Sequence, residues 1–136
     1  MVGVLIVSHG GFAEALILSL QLLVGKQQKI RGISIWPKDR EKEIKDRIRQ
    51  EIAKVNDGDG VVILTDVLGG TATNLSLSFL EDQKVEMVTG VNIPMLLTLS
   101  SYRKRKSLRE IGKLVKTSGR RSIILAKRLL ESKRMK

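Results

Sequence analysis

Only one imidazole is available to this 136-residue chain: His9, in the stretch "VSHGGFAEAL". It ends an apolar run and precedes Gly10 and Gly11. A second stretch, "ILTDVLGGTATN", repeats the arrangement with Asp66 followed by Gly69 and Gly70. A carboxylate beside an imidazole accepts a hydrogen bond from one ring nitrogen. That fixes the tautomer, leaves the other nitrogen free as nucleophile or base, and stabilises the cationic ring formed on phosphorylation. Glycines let backbone N–H groups approach a ligand closely, and a helix start favours anions. Thr71 and Thr73 add hydroxyl donors. His9 and Asp66, with Gly10, Gly69, Gly70, Thr71 and Thr73 around them, therefore form a candidate phosphoryl site. A plainer reading stands beside it: a lone histidine after a strand is often a hydrogen-bonded structural residue, and an aspartate there is often a turn former.

Other chemistries fit less well. Histidine phosphatases pair their nucleophile with a second histidine. Chelatases with a "GHG"-like histidine generally add a further histidine to hold metal, and metal binding at His9 remains the third alternative. "GGTATN" lacks the Gly-Lys-Ser/Thr ending of a Walker A loop. No G-x-S-x-G elbow is present for a serine hydrolase. A receiver domain would need acids where "VSHGG" stands. The chain has no cysteine, which excludes disulfides, thiol nucleophiles and cysteine-based metal sites. No cofactor and no metal is expected.

For His9 and Asp66 to meet, two strand ends must lie side by side. "VGVLIVS" (2–8) and "VVILTDV" (61–67) are β-branched apolar runs that suit strands buried on both faces. "IRGISIW" (30–36), closed by Pro37, and "VEMVTGV" (85–91) are further strand candidates. Between them lie helical segments. "GFAEALILSLQLLVG" carries Phe12, Leu16, Leu20 and Leu23 at helical spacing, with Gly25 as C-cap. In residues 39–55 Asp39 is the expected N-cap, and Ile44, Ile48 and Ile52 form an apolar stripe. "NDGDG" is a turn. "GGTATNLSLSFL", "NIPMLLTLSSY" with Pro94 in its first turn, and residues 107–119 complete the helices. "RSIILAK" (121–127) reads either as a strand or as the start of a terminal helix. Alternating strands and helices predict a doubly wound α/β fold, a mostly parallel sheet with helices on both faces. In such sheets ligands gather at the carboxyl ends of the strands, where both His9 and Asp66 fall.

The length suits a single domain over 1–136. No apolar run approaches the ~18 residues of a membrane span, and "MVGVLIVSHGG" lacks the basic leader and cleavage signature of a signal peptide. The net charge of +11 is unevenly placed. Residues 103–136 hold 14 basic and two acidic residues, net +12, leaving residues 1–102 at net −1. Such a basic quarter is either a solubilising surface or a face for nucleic acid or another acidic partner. A regulatory binding module is therefore the alternative function, with binding that tracks Arg103 to Lys106, Arg120 and Arg121.

"GVLIVSHGGFAEAL", "ILTDVLGGTATN" and "VTGVNIPMLL", in this order and spacing, resemble the IIA domain of the mannose family of the bacterial phosphotransferase system. The resemblance covers roughly residues 1–101 and more loosely reaches 127. It implies a phosphohistidine carrier, a phosphotransferase component of cytoplasmic location. His9 matches the histidine that takes a phosphoryl group from the phosphocarrier HPr and passes it to a IIB protein. Here IIB is expected as a separate polypeptide, with a IIC/IID permease complex at the membrane beyond it, and this chain in the cytoplasm or peripheral to the inner face of the membrane. Asp66 matches the carboxylate that orients the ring, and Thr71 a hydroxyl in the phosphoryl-contacting loop. The resemblance also implies a homodimer with exchanged C-terminal strands, which would make "RSIILAK" that strand. Where the family often carries Ser-Pro-x-Asn after the two glycines, this chain has "TATN": Thr71 keeps the hydroxyl, Ala72 loses the proline and Asn74 is retained.

Overall fold

The computed structural model describes residues 1–134. Strand β1 (Gly3–His9) leads to α1 (Phe12–Val24), β2 (Ile30–Ile35), α2 (Glu41–Val55) and β3 (Val61–Thr65). After these come α3 (Thr71–Leu77), a 3-10 turn (Ser78–Glu81), β4 (Val85–Val88), α4 (Ile93–Tyr102), α5 (Leu108–Arg121) and α6 (Ala126–Arg134). The sheet order is β2-β1-β3-β4, and every pairing is parallel.

The apolar runs of β1 and β3 are explained by their central positions. Val4, Ile6, Val62 and Leu64 face a core built with α1, α4 and α5. Leu5, Val7, Val61 and Ile63 face a second core built with α2 and α3. Each strand therefore buries both of its faces, and period-two alternation of polarity disappears. Ile44 and Ile48 anchor α2 as expected, with Ile52 packed at the margin.

Several expected details differ. In α1 the buried positions are Ala13, Leu16 and Leu20, whereas Phe12 and Leu23 are exposed. Asp39 does not cap α2. Its backbone N–H donates to the Trp36 carbonyl (2.9 Å) and its Oδ2 accepts from the Trp36 N–H (2.8 Å), so it closes the turn through Pro37. The helix starts at Glu41 with Arg40 at the cap position. β3 stops at Thr65, where Asp66 turns toward His9, and β4 stops at Val88. Arg103 is not part of an exposed basic face. It is 3% exposed, and its guanidinium donates to the carbonyls of Val2 (2.9 Å) and Lys29 (2.7 Å). Burial pulls its pKa down to about 10, so it stays charged at neutral pH. In "RSIILAK", Arg121 ends α5, Ala126 begins α6, and Ile123 to Leu125 belong to no helix or strand.

Candidate phosphoryl-transfer site

β1 lies between β2 and β3: the chain winds from β1 outward to β2 and then crosses back past β1 to β3. The crevice at the carboxyl ends of β1 and β3 is the topological switch point of the sheet. His9 ends β1, and Asp66 follows the last residue of β3. Asp66 Oδ2 accepts two hydrogen bonds from His9, from the backbone N–H (2.9 Å) and from ring Nδ1 (2.8 Å). Its Oδ1 accepts from the Val67 N–H (2.9 Å). Partial burial pushes the Asp66 carboxyl up. The backbone N–H of His9, its ring and the Val67 N–H together outweigh that and hold it below the usual carboxylate range.

The consequence for the ring is directional. A carboxylate on Nδ1 fixes the tautomer whose proton sits there, and Nε2 carries the lone pair. The His9 side chain is 47% exposed whereas that of Asp66 is 15% exposed. The pair thus has an anchored side and an open side. It lies on an open edge of the molecule: the groove of about 560 Å³ in this fold is lined by Met87, Val88, Met95 and α5, and His9 is not part of it.

Two backbone features give the ring its room. Gly10 has φ +60°, the left-handed region that favours glycine, and this turns the chain from β1 into α1. Gly70 has an ordinary φ of −79°, but a Cβ there would meet His9 Cε1 at 3.0 Å and Val67 Cγ2 at 2.9 Å. Gly70 is needed for close approach to the imidazole.

The remaining expected site residues divide. Thr71 is exposed at the first position of α3, on the same loop as Gly69 and Gly70. Thr73 is 1% exposed. Its hydroxyl donates to the Val67 carbonyl (2.6 Å) and therefore accepts from Thr65 Oγ1 (2.7 Å). Thr73 braces the loop from beneath and does not line its open side. The Gly10 N–H is spent on the Ile35 carbonyl (2.9 Å), so Gly10 contributes a turn and no free donor. Asn74 secures the loop by donating from Nδ2 to the Gly69 carbonyl (3.2 Å).

Sequence reasoning missed Ser8. Its buried hydroxyl accepts from the Ala13 N–H (2.9 Å), tying the start of α1 to the end of β1. A serine just ahead of a helix start was the available signal. Trp36 was also missed; its exposed ring stands beside Gly10, 3.8–3.9 Å from where a Cβ there would be.

A family model described as "PTS system fructose IIA component" matches residues 3–116. The chain belongs to this family of phosphotransferase-system IIA components. Among curated relatives, the fructose-specific EIIA component of Bacillus subtilis (strain 168) is 28% identical over 132 residues, covering 96% of this chain and 90% of that protein. The mannose-specific EIIAB component of Escherichia coli (strain K12) is 29% identical over 124 residues, covering 90% of this chain but only 38% of the relative. Among solved structures, the PTS IIA protein associated with the fucose utilization operon of Streptococcus pneumoniae superposes with a TM-score of 0.83 at 30% identity, covering 94% of this chain and 95% of that one. The phosphotransferase system component EIIA of Streptococcus agalactiae gives 0.83 at 26% identity, covering 91% and 96%. IIA components are phosphotransferase components, so a transferase role replaces the chelatase alternative.

Proposed function

We propose that this IIA accepts a phosphoryl group from phospho-HPr on His9 Nε2 and passes it to a separate IIB protein during sugar uptake. The observation that carries the reading is the double hold of Asp66 Oδ2 on His9, through N and Nδ1, with the ring otherwise on the open side. The Nε2 lone pair attacks the phosphorus. The N–P bond of the donor histidine breaks, its electron pair returns to the donor ring, and a new N–P bond forms on His9. His9 keeps the Nδ1 proton, and Asp66 neutralises the cationic ring that results. The loop carrying Gly69, Gly70 and Thr71 supplies N–H and hydroxyl donors to the equatorial oxygens, which carry the charge in an in-line transfer. Transfer to IIB reverses these steps.

With phosphoenolpyruvate, enzyme I and HPr, the protein should gain one acid-labile phosphoryl group, and His9→Ala should gain none. Equal labelling of the variant would sink the reading.

A homodimer that pairs residues 123–125 with the free edge of β4 is part of the same proposal. It would cover Ile123, Ile124 and Leu125, now 81%, 59% and 71% exposed. One observation favours an added regulatory role. Arg109, Lys113, Lys116 and Arg120 form a single stripe on α5, and among the described residues none of them makes an ion pair. Nucleic-acid binding that weakens steeply with salt and persists in His9→Ala would support that role.

A further inference from the structure

Trp36 is 54% exposed, and no other residue of the chain is a tryptophan. It follows Ile35, the residue that pairs with His9 across β1 and β2. The far edge of its indole lies 3.8–3.9 Å from where a Cβ on Gly10 would stand, so the ring stands beside the turn that follows His9. Its backbone is pinned. The N–H and carbonyl are both engaged by Asp39 (2.8 and 2.9 Å), and Pro37 restricts the preceding residue to extended geometry. Other exposed apolar side chains border the same turn and the facing loop: Phe12 at 44%, Val67 at 53% and Leu68 at 81%. Solvent contact of this extent on an indole with a pinned backbone, grouped with other exposed apolar side chains, is unfavourable unless a partner covers it.

We infer that Trp36 is the docking anchor for the phosphoryl donor, a positioning residue that seats the donor's apolar surface so that its phosphohistidine faces His9 Nε2. The inference rests on the phosphocarrier reading. Transfer between two imidazoles requires reacting atoms about 3–3.5 Å apart. A protein donor that close to His9 must lie over the flanking turn, and the indole stands beside that turn. Rigid tryptophans at the centre of an interface are the side chains whose truncation weakens binding most.

The test uses the full chain with a tryptophan-free HPr. Trp36→Ala should raise the KM for phospho-HPr about 30-fold with kcat within about twofold, and Trp36→Phe should recover most of the loss. The emission of the single tryptophan provides a readout independent of chemistry. In His9→Ala, which keeps Trp36 but has no acceptor, unphosphorylated HPr should shift that emission saturably. An unchanged KM in Trp36→Ala overturns the inference. So does a fall in kcat alone, a failure of phenylalanine to rescue, or an unmoved emission. Emission that depends on protein concentration without HPr would assign the ring to self-association and overturn it as well. If the wild-type protein takes no phosphoryl group, the phosphocarrier reading fails first, and the emission arm still reports whether HPr docks on Trp36.

Discussion

At the residue scale, the site depends on one carboxylate oxygen and one missing methyl group. Gly70→Ala tests the second. Alanine tolerates the local backbone, so its effect comes from the new Cβ against His9 Cε1 and Val67 Cγ2. We expect circular dichroism to be unchanged and the phosphorylation rate to fall at least tenfold, the scale of misplaced reacting groups. Asp66→Asn tests the first. On the proposed transfer, the amide removes the charge that would stabilise the phosphorylated ring and can donate to Nδ1, which favours the wrong tautomer. Rates measured by rapid quench should fall by on the order of 10²–10⁴. The carboxyl is lowered in the fold, so its contribution to stability is complete above the unfolded-chain value of about 4 and is lost as pH falls through the lower folded value. Acid unfolding of Asp66→Asn should therefore lack this component. Thr71 and Thr73 show where residue type alone misleads. Both are hydroxyls at one helix start, but two positions along a helix is about 200°, so one faces out and the other in.

At the element scale, the central strands were legible because burial on both faces leaves an unbroken apolar run. The same reasoning brings His9 and Asp66 to one sheet edge from the sequence alone, because adjacent parallel strands share their carboxyl ends. Asp39 departs from the expected cap because an aspartate two residues before a helix suits a cap and a Pro-containing turn equally well. The turn wins here because the Trp36 N–H has no strand partner and Asp39 supplies one. Phe12 and Leu23 share the helical period of α1, but the stripe that meets the sheet is rotated toward Ala13. The loop before α3 is held by the Thr65–Thr73–Val67 chain of hydrogen bonds. Thr73→Val is nearly isosteric and takes the partner from the buried Thr65 hydroxyl and the part-buried Val67 carbonyl, so chemical denaturation should show a loss of about 1–3 kcal/mol. Phosphorylation of the folded fraction should slow much less than in Gly70→Ala.

For the molecule as a whole, the feature the sequence left ambiguous was the segment after α5. A solvent-exposed Ile-Ile-Leu run outside any helix or strand has a burial requirement that one chain does not meet, and β4 has a free edge of the kind that recruits another strand. Analytical ultracentrifugation should find a dimer at micromolar concentration, and Ile124→Asp should return it to monomer with its secondary structure intact. A wild-type monomer at every concentration would remove the exchanged strand. Among the described residues, no helix is long and apolar enough to cross a membrane.

The bond between His9 and Asp66 joins residues 57 positions apart, and this has a consequence in time. During synthesis His9 emerges early, as an ordinary imidazole with neither tautomer fixed. It becomes a matched acceptor only when β3 has been made and docked beside β1. If His9 is the phosphoryl acceptor as proposed, competence for phosphorylation is a late event in the life of the nascent chain. A ribosome-bound fragment ending before residue 66 should draw no phosphoryl group from the donor pool, however long it waits.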